Sequence, residues 1–478
     1  MDRVGILIVS KCLSAGAIIA AFRRSDRYRP EFYLAERQLN PSNLRSARVH
    51  EVIPDLDVRK VAAFARKHRS KISFGLTDTE DFITAGGRDI VEREGGVPML
   101  CVDGEHAVER SKADQRLLFE RLFKGANPRF AVFDPRELRD EATAVARFRR
   151  FAREVPEPVI KPDAPARGAG VGVWGSDFRT EGEMLSFFRN VYSKGRVVVE
   201  EKVAGEESSF QAFSDGKHFV VAPQTRDYKR ALDGDRGSLT GGMGSYRGSE
   251  PHLPFLRPSE WESVVSAEER AFARWRGRGS DLGLRGIVLY DALMHTGSGF
   301  KILERNSRGG NTEQISVLET IEDDFVDVCF RMLEGSLRSI RFSKRASVVT
   351  CAVPLGYGIP DSPPAQRDRI DLSGAYALER TTRDLGVYPM DVRLEAGATL
   401  LGGSRSVAVA GTADSLEKAR AMSLAGIDAL RGPVRSRRDI ASKLDIEKSI
   451  GRMRWLRRSS SARLPRRPST GRRGSVSA

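Results

Sequence analysis

The sequence predicts a multidomain protein that combines α/β and α+β architecture. Its 478 residues are too many for one hydrophobic core, and a chain of this length divides into about three domains. Five apolar runs alternate with amphipathic stretches near the N-terminus, which is the pattern of a parallel sheet with helices between its strands. Later apolar runs are separated by short turns, and the last segment is dominated by arginine and serine.

The five N-terminal runs are expected to form the sheet of an α/β domain at residues 1–105. In order, they are VGILIV, PEFYLA, RVHEVI, KISFGL and GVPMLC. The first run leads into a helix predicted from Ala15 to Arg24, and the two together could be mistaken for a signal or membrane segment. Because Lys11 interrupts the apolar stretch and both halves are short, the sequence favours a buried strand and helix, with no membrane contact.

Residues 106–335 are predicted to form a second domain, in which about residues 125–195 make a mobile subdomain. Its helices are expected from Ser111 to Phe123 and from Asp140 to Glu154, and its strands in VVVEE, FQAFSDGKHFVVAP, RGIVLYDALM and GFKILERN. A small α+β domain follows at residues 340–440, with a strand in SVVTCAVPL and a helix from Ser415 to Arg431.

The net charge of +15 is unevenly spread, because residues 451–478 contain nine arginines and no acidic residue. A Ser/Arg/Pro-rich segment of this kind cannot bury a core, so it is predicted to be a disordered basic tail outside the folded domains. We favour a solvated extension with no essential role. The alternative is an arm for nucleic acid or an acidic partner, and this tail is the only segment expected to bind nucleic acid.

The four cysteines are far apart in the sequence and form no Cys-x-x-Cys pair. They are Cys12, Cys101, Cys329 and Cys351. This spacing argues against a zinc site or a disulfide framework and indicates a reducing, cytoplasmic compartment.

A lysine and a glycine-rich loop form a candidate phosphate site. Lys161 ends the apolar strand PVIK, and the loop ARGAGVGV follows with Gly168 and Gly170. A lysine in this position can reach phosphates while backbone N–H groups of the loop cover them. Glycine-rich turns after strands are also common without any ligand, and Lys112, in a predicted helix, would by itself be a solvated residue.

An apolar strand that runs into an acidic turn forms a candidate adenosine site. Glu200, Glu201 and Val203 lie where the strand VVVEE ends, and its backbone could bond to an adenine edge. Glu206 or Glu207, just after the next turn, could accept hydrogen bonds from ribose hydroxyls. A solvated acidic turn would explain the charge but not the apolar strand aimed into it.

The segment LERNSRGGNTE carries a candidate metal site. Glu304 and Asn306 are two residues apart, so on a strand they share a face. A carboxylate beside an amide oxygen suits Mg²⁺, which prefers hard oxygen ligands. The turn HTGSG allows a hairpin that could bring Asp291 to the same ion, and Arg308 could present its guanidinium to a phosphate or carboxylate. An exposed hairpin with salt bridges is the structural alternative.

Taken in order, these motifs resemble the ATP-grasp superfamily, in which two α+β subdomains close on ATP and magnesium. Within it, the chain is most similar to the phosphoribosylamine–glycine ligases. The segments EEKVAGEESSFQAFSDGK, TRDYKRALDGDRGSLTGGMGSY, LYDALM and LERNSRGGNTE match that family's motifs. The similarity continues through GGSRSVAVAGTADSLEKARAMSLAGIDAL and RRDI, covering about residues 1–440. It therefore implies a pre-ATP-grasp domain, an ATP-grasp domain and a small C-terminal domain.

The resemblance implies ligation of glycine to phosphoribosylamine in purine biosynthesis, with ATP and Mg²⁺ or Mn²⁺. The substrate carboxylate would attack the γ-phosphate, and an amine would then attack the acyl phosphate. We expect a monomer that binds these small molecules. The predicted positions are Lys112, Lys161, Gly168, Gly170, Glu200, Glu201, Val203 and Glu206 for the nucleotide, Glu304, Asn306 and Asp291 for the metal, and Asp227, Lys229, Arg230 and Arg308 for catalysis on the substrates.

The sequence departs from the family mainly at the substrate end. The family's first loop ends in Arg-Glu-His, whereas this chain has SKCLSAG, in which Lys11 or the helix start near Ser14 could still bind a phosphate. The family's Gly-Lys-Gly is Gly168-Ala169-Gly170, and its Gly-Asp-Pro-Glu is residues 310–313, Gly-Asn-Thr-Glu. Asp291 replaces an apolar residue but lies where other ATP-grasp enzymes place a metal-binding acid.

Two alternatives remain open. One is a divergent ATP-grasp carboxylate–amine ligase with a different amine or amino-acid substrate. The other is a weakly active paralogue that binds nucleotide and uses its arginine-rich tail as an interaction arm. The metal pair and the two lysines speak against this second alternative.

Overall fold

The computed structural model describes residues 1–462, apart from 139, 156, 164–169, 277–281, 361 and 363–367. The strands are β1 (Asp2–Ser10), β2 (Tyr28–Glu36), β3 (Ala47–Val52), β4 (Phe74–Thr77), β5 (Met99–Leu100), β6 (Phe130–Phe133), β7 (Pro158–Pro162), β8 (Gly172–Val173), β9 (Val197–Glu201), β10 (Glu206–Asp215), β11 (Phe219–Val221), β12 (Arg226–Asp227), β13 (Arg230–Leu232), β14 (Arg236–Leu239), β15 (Gly244–Arg247), β16 (Arg285–Thr296), β17 (Gly299–Asn306), β18 (Ala346–Pro354), β19 (Leu385–Pro389), β20 (Val392–Glu395), β21 (Ala398–Leu401), β22 (Val407–Ala413) and β23 (Val434–Arg435). The helices are α1 (Ala15–Arg23), α2 (Pro41–Ser46), α3 (Val58–His68), α4 (Glu80–Thr84), α5 (Gly87–Ile90), α6 (Lys112–Leu122), α7 (Glu141–Glu154), α8 (Glu181–Tyr192), α9 (Pro258–Trp275), α10 (Asn311–Leu318), α11 (Phe325–Glu334), α12 (Ser373–Thr381), α13 (Leu416–Asp428) and α14 (Lys443–Ala462).

The N-terminal sheet has the strand order β3-β2-β1-β4-β5, and all its neighbouring strands are parallel. The prediction of a parallel α/β domain is confirmed. The central strand β1 is apolar without alternation because both of its faces are covered. Ile6 and Ile8 pack with α1, whereas Leu7 and Val9 pack with α3 on the opposite face.

Two sheets in the middle region carry most of the candidate site. The smaller has the order β6-β9-β7-β8 and its own core, in which Phe148 stacks on Phe188 of α8 at 4.2 Å. The larger is the antiparallel sheet β11-β10-β16-β17, whose rear face packs against α9. The predicted helices begin where polar side chains cap them: Ser111 accepts from the Asp114 N–H, and Asp140 from the Thr143 N–H.

A third sheet joins the middle region to the C-terminal region. Its order is β12-β15-β18-β22-β19, with β23 paired to β18. Strands β12 and β15 flank the TGGMG segment and pair with each other, and β15 also pairs with β18. The TGGMG segment is therefore attached to the sheet of the C-terminal region. The domain limits expected from the sequence remain predictions, because this sheet draws strands from both regions.

Helix α14 corrects the prediction that disorder begins at residue 451. The helix continues to Ala462, Met453 is fully buried, and the Arg457 guanidinium pairs with Glu260 at 2.6 Å. The missed signal is apolar spacing, since Ile446, Ile450 and Met453 recur at helical intervals beneath the arginines. The remainder of the predicted tail, residues 463–478, lies outside the described residues.

Two further features of the described residues bear on the sequence analysis. None of their helices is both long enough and apolar enough to cross a bilayer. All four cysteines are buried free thiols.

Candidate active site

The hairpin of β16 and β17 presents Glu304 and Asn306 on one face. Its register pairs Ala292 with Glu304 and Tyr290 with Asn306, so these residues share a face. Glu304 and Asn306 are partly buried, and neither side chain bonds to another side chain or backbone group in the described part of the chain. The hairpin therefore offers a carboxylate and an amide oxygen side by side, as the sequence predicted.

Asp291 faces away from this pair, so the prediction that it is a third metal ligand is wrong. The register places Asp291 opposite Arg305, on the rear face of the hairpin. The Arg305 guanidinium binds both oxygens of Asp291, with Nε 2.8 Å from Oδ1, and its Nη2 lies 2.7 Å from Glu268 Oε2 of α9. All three side chains are buried. Burial and the neighbouring Asp291 raise the pKa of Glu268 well above its usual value, which favours a proton on that carboxyl.

Four cations from separate segments surround Glu304. Burial by itself would raise the pKa of this carboxyl. Lys229, Lys112, Lys161 and Arg308, in decreasing order of effect, together hold it below its usual value. These four were predicted from motifs that lie far apart in the sequence. The fold brings them to one carboxylate.

Glu200 forms a buried ion-pair centre that positions Lys161. Its carboxylate lies 2.7 Å from Lys161 Nζ and 2.6 Å from Arg116 Nε. Burial lowers the pKa of the Lys161 ammonium. Burial would also raise the pKa of Glu200, but Arg116 and Lys161 hold it below its usual value. Arg116 also donates to the Ile302 carbonyl at 2.7 Å, which links the smaller sheet to β17.

Some backbone groups just after Glu200 are hydrogen-bonded within the protein, and others are not. The Glu201 N–H donates to the Arg129 carbonyl at 2.8 Å, so this part of the predicted adenine edge is used by the sheet itself. Within the part of the chain that the structure describes, the Val203 backbone makes no hydrogen bond. Val203 is thus the position of the predicted edge that is open to an adenine.

Strand β10 places the two acidic residues of the GEE turn on opposite faces of the sheet. Successive side chains of a strand point to opposite faces. Glu206 points to the rear face, where its carboxylate lies 3.0 Å from Arg226 Nη1. Glu207 points to the site and pairs with Lys229, whose charge also acts on Glu304. The structure therefore turns Glu206 away from the site and leaves Glu207, the alternative that the sequence offered, on the face of Glu304.

The TGGMG segment packs tightly over Asp227 and Arg405 because Gly241 and Gly242 have no side chains. Gly242 has φ +102°, and a Cβ at this residue would lie 2.6 Å from Asp227 Oδ1. A Cβ at Gly241 would lie 2.7 Å from the Arg405 guanidinium. Asp227 is buried, its Oδ1 has no hydrogen-bond partner among the described residues, and burial with Glu313 nearby raises its pKa well above the usual value.

The two predicted catalytic arginines have different surroundings. Arg308 is partly buried, with Nε 3.3 Å from Glu80 Oε2 and Nη2 3.4 Å from Glu109 Oε1. Burial raises the pKa of Glu109 to about 7, although Arg308 opposes the shift. Arg230 instead donates to the Gly237 carbonyl of its own hairpin at 2.9 Å, and the structure does not bring it to Glu304.

Carboxylates engage several donors of the N-terminal loop. Asp78 Oδ2 accepts from Ser10 Oγ at 3.0 Å, from the Ser14 N–H at 2.9 Å and from Ser14 Oγ at 2.8 Å. Lys11 pairs with Glu80 at 3.3 Å and also with Asp81. The hypothesis that Lys11 or the start of α1 binds a phosphate stays a prediction, and a phosphate there would compete with these carboxylates for Lys11 and Ser14.

Three residues join the site that the sequence reasoning did not select, namely Arg116, Glu109 and Arg405. Arg116 and Glu109 carry no motif signal, since each gains its role through contacts with distant strands. Arg405 lies in the segment GGSRSVAVAG that matched the family, and Glu207 was named only as the alternative to Glu206. Of the predicted loop glycines, Gly168 is outside the described residues, and Gly170 has φ +75° next to β8.

The fold and the site define an ATP-grasp enzyme, with two sheets that bring lysines and a Glu/Asn pair together. The model of the phosphoribosylglycinamide synthetase ATP-grasp (A) domain matches residues 121–314. The chain is 34% identical over 431 residues to the phosphoribosylamine–glycine ligase of Pyrococcus furiosus, covering 89% of this chain and 92% of that protein. It is 30% identical to the ligase of Methanocella arvoryzae, covering 95% and 99%. The chain belongs to the phosphoribosylamine–glycine ligase family.

Solved structures agree on the fold. The phosphoribosylamine–glycine ligase of Thermotoga maritima superposes with a TM-score of 0.68 at 24% identity, covering 91% of this chain and 100% of that one. The biotin carboxylase domain of the Hydrogenobacter thermophilus 2-oxoglutarate carboxylase, solved with MgADP, gives a TM-score of 0.64 at 15% identity, with coverage of 94% and 93%.

Proposed function

We propose that this chain ligates glycine to phosphoribosylamine in purine biosynthesis, with conversion of ATP to ADP and phosphate. The chain is an ATP-dependent carbon–nitrogen ligase by family. The observation that supports the site most strongly is the convergence of Lys112, Lys161, Lys229 and Arg308 on Glu304. Such a cluster suits a reaction in which negative charge on phosphate and carboxylate groups must be neutralised.

The nucleotide end of the proposed site uses Lys161, Lys112, Glu207 and Val203. Glu200 and Arg116 hold the Lys161 ammonium in place, so it can meet phosphate without losing its orientation. Glu207 offers carboxylate oxygens to ribose hydroxyls, and the open Val203 backbone offers hydrogen bonds to adenine.

The residues present fit a magnesium or manganese ion. Glu304 and Asn306 provide hard oxygen donors on one strand face, and the lowered pKa keeps Glu304 ionised at neutral pH. We propose that these two residues hold the ion. When bound, it would neutralise charge on the phosphate oxygens. Among the described residues, no group of three or more acidic, histidine or cysteine side chains forms a separate metal site.

The ligation requires two bond exchanges. A carboxylate oxygen of glycine bonds to the γ-phosphorus as the β–γ P–O bond breaks and ADP leaves. The amine nitrogen of phosphoribosylamine then bonds to the acyl carbon as phosphate departs with the carboxylate oxygen and the amine loses a proton. The side chains position the reactants and stabilise charge, and no covalent enzyme intermediate is needed.

Asp227 and Arg308 mark the substrate end of the proposed site. Arg308 can bind the glycine carboxylate, because its partly buried guanidinium acts electrostatically on Glu304 of the metal pair. Asp227 is a buried carboxyl whose Oδ1 has no partner in the described structure, which suits it to accept a hydrogen bond from a substrate amine. The TGGMG backbone leaves room for this approach.

A divergent ligase with a different amine is the second candidate function, and the N-terminal loop supports it. Two groups that could meet a sugar phosphate there, Ser14 and Lys11, are engaged by Asp78, Glu80 and Asp81. For phosphoribosylamine to bind through these two groups, the contacts would have to open.

Phosphate release distinguishes the two candidates. Purified protein with ATP and Mg²⁺ is expected to release phosphate when both glycine and freshly generated phosphoribosylamine are present, and not when either is omitted. Release with another amine or amino acid, and none with this pair, would favour the divergent ligase.

We also propose a cytoplasmic monomer. Four buried thiols without a disulfide are in keeping with a reducing compartment.

A further inference from the structure

Helix α14 contacts the segment 226–229 from behind. Every second side chain of this segment points to the site, and the side chains between them point to α14. Asp227 and Lys229 face the site, whereas Arg226 and Tyr228 point away from it. The rear-facing pair meets the first turns of α14. The helix therefore touches the backbone that carries the substrate-facing side chains, without touching the site itself.

Polar contacts of two largely buried side chains, Tyr228 and Arg226, join this segment to the helix. The Tyr228 hydroxyl donates to Asp445 Oδ2 at 2.6 Å and accepts from the Ala441 N–H at 3.0 Å. The Arg226 guanidinium donates to Ser449 Oγ. Tyr228 is 1% exposed and Ser449 is 2% exposed. Buried bonds of this kind fix position, because breaking one leaves a polar group without a partner.

A separate set of contacts anchors the far end of α14. Arg457 binds Glu260 and donates to the Phe255 carbonyl at 2.8 Å. A Cβ at Gly297 would lie 2.2 Å from the Leu456 carbonyl oxygen, so the helix packs directly on the turn of the β16–β17 hairpin. The helix thus spans from the hairpin that carries Glu304 to the segment that carries Asp227 and Lys229.

We propose that α14 is a positioning element for the ligation, in which Asp445 and Ser449 fix Asp227 and Lys229 relative to Glu304. The proposal rests on the proposed function and deepens it. Catalysis by positioning is sensitive to shifts of about 1 Å, which can cost up to about a hundredfold in rate. Loosening the Tyr228–Asp445 contact would allow such a shift of Asp227 and Lys229 while the helix remains anchored through Arg457.

The test compares Asp445→Ala, Tyr228→Phe and the double variant with Arg454→Ala, which lies on the exposed face of the same helix. For glycine, kcat/KM is expected to fall about tenfold in each of the first two variants. Because the two groups act as one contact, the double variant should fall little further. Asp445→Asn, which keeps an acceptor oxygen, should recover most of the loss, and Arg454→Ala should match the wild type.

Amide hydrogen exchange gives a readout that does not depend on turnover. Exchange at residues 226–229 is expected to rise about tenfold in Asp445→Ala and to stay unchanged in Arg454→Ala. A lower melting temperature with unchanged kinetic constants and unchanged exchange at these residues would overturn the proposal. A wild-type enzyme that does not ligate glycine would instead refute the proposed function, and the exchange measurement would still decide the role of α14.

Discussion

At the scale of single residues, the site depends on which way each side chain leaves its strand. Glu206 and Glu207 are equally acidic and adjacent, yet one pairs with Arg226 behind the sheet and the other with Lys229 in front. The sequence GEE does not show which glutamate faces the site, because that depends on the register of β10 in the sheet. Similarly, Asp291 has the right chemistry for a metal but lies on the wrong face.

Replacing the two glutamates separately tests this assignment. Glu207→Gln is expected to raise the KM for ATP about tenfold, since it weakens a charged hydrogen bond to the ribose. Glu206→Gln is the matched control, and its KM for ATP should remain within about twofold of the wild type. Steady-state phosphate release at varied ATP measures both, and the opposite ranking would restore Glu206 as the nucleotide ligand.

His295 gives the molecule a defined pH dependence of stability. Its Nε2 lies 2.7 Å from Ser208 Oγ and 3.1 Å from Gln224 Nε2, and burial lowers its pKa from 6.5 to about 4. The unfolded chain therefore binds the proton more tightly. Neutral His295 therefore contributes fully to the free energy of unfolding above pH 6.5. As the pH falls towards 4, this contribution is lost, by on the order of 3 kcal/mol.

His295→Gln should remove this contribution, because glutamine does not titrate. Urea unfolding between pH 4 and 7 is expected to show a shallower decline for the variant than for the wild type. His252→Gln, at a half-exposed position, is the control and should follow the wild type. Equal slopes for His295→Gln and the wild type would contradict the assignment.

At the scale of elements, the pattern of apolar residues predicted the strands and helices better than the polar motifs predicted the side-chain contacts. The parallel sheet, the β16–β17 hairpin and the capped helices α6 and α7 were visible because burial imposes a period on the sequence. The contacts of Arg116 and of Asp78 were not visible, because they join segments far apart in the chain. Helix α14 was not predicted because the many arginines of this segment drew attention away from its apolar residues at helical intervals.

The rear face of the hairpin is expected to be structural. Arg305→Met should lower the free energy of unfolding by about 3–5 kcal/mol, because Asp291 and Glu268 would remain buried without their cation. Urea unfolding at pH 7 measures the loss, and a change below about 1 kcal/mol would mean that the ion pair is dispensable.

The front face of the hairpin is expected to be functional. Glu304→Gln should reduce kcat by about a hundredfold or more and raise the Mg²⁺ concentration needed for activity. Asp291→Asn should leave the Mg²⁺ requirement unchanged even if it lowers stability. Titration of phosphate release with Mg²⁺ compares the two, and a shifted requirement in Asp291→Asn would return Asp291 to the metal site.

At the scale of the whole molecule, the site draws on three sheets and on the C-terminal helix. Glu304 lies on one sheet, Lys161 and Glu200 on a second, and Asp227 on a third that includes strands from the C-terminal region. This arrangement explains why the motifs are spread along the chain. Truncation after Ala462 removes residues beyond α14 and should leave kcat and the melting temperature unchanged, and a large loss of rate would place that segment within the enzyme.

The central claim is ligation of glycine through an acyl phosphate at the Glu304 site. Its most direct test is the reaction of glycine labelled with ¹⁸O in both carboxylate oxygens, with mass analysis of the phosphate that is released. The account predicts one ¹⁸O atom in each phosphate, because the attacking carboxylate oxygen leaves with it. Unlabelled phosphate would contradict the account, because the amide keeps only one carboxylate oxygen and the other ¹⁸O would then have left as water.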